Sequence, residues 1–309
     1  MPDSSVRVGF VTYSGAPTLT EDDRLAVAPL ERLGYAVEPV VWSEDSWHGA
    51  EFAVLILRST WDYHKRPAAF KDWLRGREAD GCVLWNPPPL VRWNMDKTYL
   101  RDLHDAGVPV SPSVWLSGDE PANLADLLRR NGWARAVIKP TMSATAYQTW
   151  TTTVETAADD QLALDQMRDL GGILVQRFEE SIANGEWSLL FFSGGFSHSV
   201  LKRPQPGDFR VQKEYGGTSE PAPAPRRVLT VAEQVLAQVR WSWLYARVDL
   251  VDAVDGVRLM ELEMLEPDLF LRHAPEAAER FAGDDLRQDV ALELVAAEPM
   301  DDPGDHARD

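Results

Sequence analysis

The stretches Ala246-Arg247-Val248-Asp249-Leu250-Val251 and Met260-Glu261-Leu262-Glu263-Met264 decide how this chain folds and what it can hold. Side chains alternate faces along a strand, so Arg247 and Asp249 share one face while Val248 and Leu250 bury on the other. Glu261 and Glu263 likewise share a face, opposite Leu262 and Met264. The break between them, Asp252 to Gly256, reads as a hairpin connection, and its length sets which acids meet. A two-residue Asp255-Gly256 turn pairs Val254 with Val257 and sets Asp249 opposite Leu262, on the wrong face. A three-residue loop, Val254 to Gly256, with Gly256 left-handed, pairs Ala253 with Val257, Asp249 with Glu261 and Arg247 with Glu263; this is the expected register. Three carboxylates converging on one face repel unless a cation lies between them, and an all-oxygen set suits magnesium bridging nucleotide phosphates. A solvated, salt-bridged strand face carries the same pattern.

Working outward, Lys202, Arg203 and Arg210 lie on or beside a loop expected from Lys202 to Pro225. Lys139 ends a strand before Pro140, and Lys97 opens a helix expected from Asp96 to Ala106. Singly, each reads as an ordinary surface cation. Jointly they carry weight, because 31 Lys and Arg against 49 Asp and Glu give a formal charge of −18. A field of that sign repels nucleic acid and anionic membranes, so an anion in a cleft must be held by local cations.

The first segment alternates strand and helix: Val6 to Tyr13 apolar, Asp22 to Leu33 with helical spacing, Ala36 to Trp42 apolar, then a strand from Phe52 to Leu57. Arg58, Ser59, Thr60, Trp61, Asp62 and Tyr63 follow that strand. Ligands sit beyond the carboxyl ends of parallel strands, which makes this group a substrate candidate. Further strands are expected at Ala136–Lys139, Tyr147–Val154, Ile173–Phe178 and Trp187–Phe192, with helices at Ala158–Leu170 and from Thr230 to Trp241. The 309 residues suit subdomains around a cleft, and no apolar run long enough to span a membrane interrupts them. No signal-peptide pattern opens the chain, so the cytoplasm is the expected location. The single cysteine, Cys82, cannot form an intrachain disulfide and reads as a small hydrophobe. His198 reads as structural, and no Gly-x-Ser-x-Gly elbow supports a serine hydrolase.

These residues, in this order, resemble the ATP-grasp superfamily, which includes D-alanine:D-alanine ligase, glutathione synthetase and the glutamate ligases that modify ribosomal proteins. The resemblance covers roughly residues 90 to 270. It implies an α/β fold, α+β overall, with a pre-ATP-grasp domain at 1–95, a central subdomain at 96–172, a C-terminal subdomain at 173–295 and an acidic disordered tail at 296–309. It places Lys97 and Lys139 on ATP phosphates, Ser143 in the phosphate loop, Gln176, Arg177, Phe178 and Glu179 in an adenine hinge, and Glu186 on ribose. Lys202 becomes a phosphate contact, Arg210 and Arg247 hold the transferred phosphoryl, and Asp249, Glu261 and Glu263 become ligands of Mg2+. The chain departs from the family in two places. The phosphate loop, Thr141-Met142-Ser143-Ala144-Thr145-Ala146, lacks glycines, and Glu263 stands where asparagine is usual.

The phrases Leu57 to Tyr63, Arg92 to Lys97, Gly207 to Gln212 and Glu266 to Leu271 are similar to the branch containing the D-cycloserine-forming cyclo-ligase. That resemblance implies ATP and a small amino-acid-like substrate as partners, Asp23 and residues Arg58 to Tyr63 as substrate contacts, and a homodimer. A peptide- or protein-modifying ligase and a nucleotide binder without turnover stay open as alternatives, the second favoured by the glycine-poor loop.

Overall fold

The computed structural model describes residues 6–44, 52–118 and 121–283. The expected tail at 296–309 lies outside them. The first sheet contains β1 (Val6–Thr12), β2 (Tyr35–Val41), β3 (Val54–Ser59) and β4 (Val83–Trp85), all parallel, in the order β2-β1-β3-β4. Parallel neighbours need crossovers, supplied here by α1 (Val27–Arg32) and α2 (Pro67–Ala79). Every residue of β3 is buried, as a strand covered on both faces requires.

The second sheet, β5 (Ser113–Leu116), β6 (Arg135–Pro140), β7 (Trp150–Thr153) and β8 (Ile173–Arg177), runs β5-β8-β6-β7 and is antiparallel. Strand β8 therefore lies between β5 and β6. The domain boundary expected after residue 172 cuts this sheet, and we propose Arg177 as the end of the central subdomain. The first and third units are also interleaved: residues 269 to 282 pack against Val8, Phe10 and Ile56 of the first sheet, with Phe281 at the centre.

The third sheet contains β9 (Glu186–Phe192), β10 (Gly195–Arg203), β11 (Thr218–Pro221), β12 (Tyr245–Ala253) and β13 (Gly256–Glu263), in the order β11-β10-β9-β12-β13. The loop expected from Lys202 to Pro225 contains β11, a short, largely exposed edge strand whose Thr-Ser-Glu-Pro sequence has no apolar alternation to reveal it. The helix expected from Asp96 to Ala106 is α4 (Tyr99–Asp105), which starts three residues later; α3 (Pro88–Asn94) precedes it, and Lys97 lies in the turn between the two. Asp96 makes that break: its carboxylate accepts the Thr98 N–H at 3.0 Å and the Thr141 hydroxyl at 3.1 Å, a local bond that competes with helix.

The hairpin register is half as expected. Arg247 pairs with Glu263 and Asp249 with Glu261, but Ala253 pairs with Gly256 rather than Val257. The missing residue is recovered by a β-bulge, since Leu250 pairs with Leu259 and leaves Met260 unmatched. A tight turn would have sent the acids to the core face; the bulge corrects the phase and turns Met260 towards the same cleft as Glu261.

Strand β13 has a free edge, and residues 94 to 111 cover it. The Asn94 amide donates to Leu262 O at 2.8 Å and accepts from Met264 N at 2.7 Å, while the Tyr99 hydroxyl accepts from Leu262 N at 3.0 Å. Asn86, fully buried, donates to Tyr245 O at 2.9 Å and Met264 O at 2.6 Å and accepts from Leu244 N at 2.7 Å. Replacing Asn86 with Ala strands three buried backbone groups. A loss of about 3 kcal/mol is expected, read as a lower urea midpoint; an unchanged midpoint would mean that this amide does not tie the two units together.

Candidate active site

Strand ends from all three sheets meet at a cleft of about 750 Å³. Its floor carries two sets of ion pairs. Lys202 contacts Glu186 and reaches Asp249 at 3.1 Å; Arg247 reaches Asp249 at 3.1 Å and contacts Glu263. Lys97 reaches Glu261 at 2.9 Å and donates to Ser143 O at 2.6 Å. Local sequence explains these placements. Strand alternation puts Glu186, Lys202, Arg247, Asp249, Glu261 and Glu263 on the cleft side, and Gly185 precedes Glu186 with φ +116°, where a Cβ would stand 2.6 Å from Leu201 Cδ1 and 3.0 Å from the Lys202 carbonyl. The Ser188 hydroxyl donates to Asp249 at 2.5 Å.

Burial and proximity shift the titration of these groups. Burial raises the Asp249 pKa, yet Arg247 and Lys202 together hold it below the usual carboxylate range. Lys97 and Lys139 do the same for Glu261 against its burial. Glu263 goes the other way, pushed up to about 7 by burial and by Glu261 and Asp249 despite Arg247. Glu266 is also raised well above the usual carboxylate range, by burial first and Glu263 second. Burial lowers the Lys139 pKa, and among the described residues Lys139 makes no salt bridge. A pairwise interaction at 4 Å is worth about 4 kcal/mol at an effective dielectric near 20, so each of these charges depends on its neighbours.

Of the residues expected from sequence, Lys97, Lys139, Ser143, Gln176, Phe178, Glu179, Glu186, Lys202, Arg210, Arg247, Asp249, Glu261 and Glu263 all line the cleft. Arg177 does not; its guanidinium bonds Glu179 at 2.9 Å. The three acids of the expected metal site share the cleft, with cations set among them. Among the described residues no three acidic groups are placed to share a metal ion, because Arg247 lies between Asp249 and Glu263 and Lys97 holds Glu261. The set is still oxygen-only, on one face, and carries an acid with excess repulsion, which is donor chemistry that fits magnesium. Arg210 is paired with Asp208 at 2.8 Å and its guanidinium carbon lies 3.7 Å from the Tyr215 ring centroid.

The substrate candidates divide. Asp23, Trp61 and Tyr63 line the cleft. Arg58 is fully buried, bonded to Asp23 at 3.0 Å and to Pro267 O at 2.9 Å, and so props the wall from behind. Ser59 bonds Thr12 at 2.9 Å, Thr60 is buried, and Asp62 accepts from the Trp42 indole at 2.7 Å. None of these four lines the cleft: Arg58, Ser59 and Thr60 are buried, and Asp62 is engaged by the Trp42 indole.

Sequence reasoning left unassigned a second ion cluster on the cleft wall, Asp22, Asp268 and Arg272. Arg272 reaches both carboxylates at 2.9 Å, and Asp22 also accepts the Leu271 and Arg272 N–H groups at 3.0 Å. The phrase Glu266 to Leu271 marked the region but not the roles. The loop after Lys139 is left-handed at Thr145, Ala146 and Gln148, conformations that glycine would adopt without strain and that cost other residues about 1–2 kcal/mol each.

A family model described as the N-terminal domain of the D-cycloserine synthetase DcsG matches residues 8–86. The chain is 30% identical over 267 residues to the cycloserine biosynthesis protein DcsG of Streptomyces lavendulae, covering 81% of this chain and 88% of that one. The crystal structure of D-cycloserine synthetase DcsG superposes with a TM-score of 0.82 at 25% identity, covering 92% of this chain and 99% of the other. D-alanine–D-alanine ligase from Bacillus anthracis complexed with ATP superposes with a TM-score of 0.66 at 15% identity over 95% and 99%, a likeness of fold.

His198 does not line the cleft. Its Nε2 faces Leu269 O at 3.0 Å and so carries the proton, while Nδ1 lies 2.9 Å from the Ser197 hydroxyl. Burial lowers its pKa to about 4. Below about pH 6.5 the unfolded chain takes up a proton that the native site refuses, so this histidine removes stability as pH falls from about 6.5 to about 4. His198→Gln is expected to have a shallower loss of urea midpoint across that window than the parent, and identical slopes would contradict the assignment.

Proposed function

The chain belongs to the family of the cycloserine biosynthesis protein DcsG, among the ATP-grasp ligases, and is an ATP-dependent ligase; we propose that its cleft binds ATP with magnesium and activates a carboxylate, or an equivalent oxygen, of a small amino-acid-like substrate for attack by nitrogen. The nitrogen belongs to the same molecule, as in a cycloserine-type ring closure, or to a second one. The observation that carries this reading is the gathering of Lys97, Lys139, Lys202, Arg210 and Arg247 on one cleft of a chain with charge −18. Most of these cations are paired with cleft acids, but Lys139 has no ion pair among the described residues, and an anionic ligand would give it one against the global field.

In this reading the substrate oxygen displaces ADP from the terminal phosphorus, and the nitrogen then attacks the acyl carbon, releasing phosphate and losing a proton. Asp249, Glu261 and Glu263 would hold magnesium, which when bound supplies charge neutralisation beside the phosphates. Lys97, Lys139 and Lys202 counter the remaining phosphate charge. Arg247, fixed by Asp249, presents its guanidinium to the migrating group, and Arg210 joins it on leaving Asp208. Apolar Val137, Phe178, Ile182 and Met260 line the cleft for the base, with Glu186 for ribose. Asp23, Trp61 and Tyr63, with the Asp22, Asp268 and Arg272 cluster, remain for the amino-acid-like partner. Cytoplasmic location and a homodimer belong to the same proposal; no described helix is long and apolar enough to cross a membrane.

The decisive assay is release of ADP and phosphate with a panel of amino acids and their ureido or hydroxamate derivatives. Substrate-dependent ADP is expected from at least one, and none from any would favour a nucleotide binder without turnover. Glu261→Gln is expected to lower magnesium-dependent turnover by about 100-fold or more with an unchanged circular dichroism spectrum; full activity in that variant would remove Glu261 from the metal site.

A further inference from the structure

We propose that His273 is the general base of the second step: its ring takes the proton that the attacking nitrogen gives up, and the Ser219 hydroxyl sets its tautomer. The inference rests on the ligase reading of the cleft and adds the group that moves a proton, which the phosphate-facing cations cannot do. His273 lines the cleft, and neither the phosphate contacts nor the metal-type acids involve it.

Its position is built from two elements remote in sequence. Ser219 on β11 pairs with Lys202 on β10, and directly opposite residues share a face, so its hydroxyl stands on the cleft side with that lysine. It lies 2.9 Å from His273 Nε2. On the other side, the segment from Asp268 to His273 is held almost residue by residue. Arg247 donates to Asp268 O at 3.3 Å and His198 to Leu269 O at 3.0 Å. The Asp268 carboxylate accepts the Phe270 N–H at 2.9 Å, and Asp22 accepts those of Leu271 and Arg272 at 3.0 Å. Phe270 is left-handed at φ +51°, a costly conformation outside glycine. There the His273 N–H closes on Phe270 O at 2.9 Å, and the two rings stack with centroids 6.0 Å apart. The guanidinium carbon of Arg247 lies 5.7 Å from the same phenyl ring. Only the Phe270 side chain thus separates His273 from the arginine given to the migrating group.

One ring nitrogen is left over. Nε2 is engaged by Ser219, whereas Nδ1 makes no hydrogen bond among the described residues. With Nε2–H donating to Ser219, the Nδ1 lone pair is available to a proton. The charged or titratable groups that face the ring are Asp268 and Arg272 of its own segment and His198 of β10. Burial first and Arg272 second lower the His273 pKa from 6.5, against Asp268, so the ring is neutral and able to accept at pH 7. In the step itself the nitrogen bonds to the acyl carbon, the carbon–oxygen bond breaks with its electron pair leaving on phosphate, and the nitrogen's proton passes to Nδ1 and then to water. Asp268 answers the transient imidazolium.

Two rates test this, measured with ATP, magnesium and the panel member that releases ADP fastest: formation of the nitrogen-coupled product, and formation of the acyl hydroxamate when hydroxylamine is added to capture the activated acyl group. His273→Gln keeps a donor for Ser219 and loses the basic nitrogen. Its coupled product is expected to form about tenfold more slowly or worse, while hydroxamate formation, which needs no enzyme base, stays within about twofold of the parent. Ser219→Ala should slow the coupled product alone, and Ser219→Thr should restore it. Coupled product at the parental rate in His273→Gln, or an equal fall in both rates, overturns the inference alone. A parent that releases no ADP with any panel member overturns the ligase reading with it.

Discussion

A buried charge must be compensated where it stands, and this requirement organises the molecule. Asp249 and Arg247 lie on an interior strand, 2% and 8% exposed, where neither could stay ionised unaided. Two acids of the cleft are answered by cations: Asp249 by Lys202 of β10 and Arg247 of its own strand, Glu261 by Lys97 from the turn between α3 and α4. Charge pairing across elements thus fixes their relative placement as firmly as apolar contact does. It also leaves an imbalance at Glu263 and Glu266, whose pKa values are raised by burial first and by neighbouring carboxylates after it, against the protein's own cations. In the proposed reading an ion-paired cleft of this kind is poised for exchange, since a triphosphate and its metal ion would offer the same cations and anions new partners.

The strand bearing Glu261 and Glu263 would be an exposed edge without residues 94 to 111. Asn94 and Tyr99 close its outer hydrogen bonds, Pro109 O and Ser111 N bracket Leu259, and Asn86 binds the chain on both sides of the hairpin. The backbone that carries the metal-type acids is therefore a shared product of two units. The same residues that protect the edge from aberrant pairing position Lys97 four ångströms or less from its acid. Stability and site geometry are here one set of bonds.

The glycine-poor loop shows how a family feature can be met by other means. Its backbone enters the left-handed region at three non-glycine positions. The fold holds it there with the Ser143 hydroxyl on Pro140 O at 3.1 Å, the Lys97 ammonium on Ser143 O, and Tyr147 packed 5.1 Å from the His64 ring. Glycine's freedom is replaced by restraint, which costs strain but gives a loop with a defined resting shape.

The sequence by itself determined the alternation of β1 to β3 with helices, the common face of Arg247, Asp249, Glu261 and Glu263, and the gathering of lysines, because side-chain periodicity and residue chemistry are local properties. It also identified the family, through ordered motifs that survive at low identity. Only the tertiary structure decided the rest. The bulge at Met260, which rescues the register after a tighter turn than expected, depends on the partner strand rather than on the turn residues. That β8 belongs to the central sheet, that Arg58, Ser59, Thr60, Asp62 and Arg177 face away from the cleft, and that Arg272 joins Asp22 to Asp268 are facts about elements far apart in the chain. Long-range pairing selects among local possibilities that the sequence leaves nearly equal in energy, so the chemistry was legible in the residues while its geometry was not.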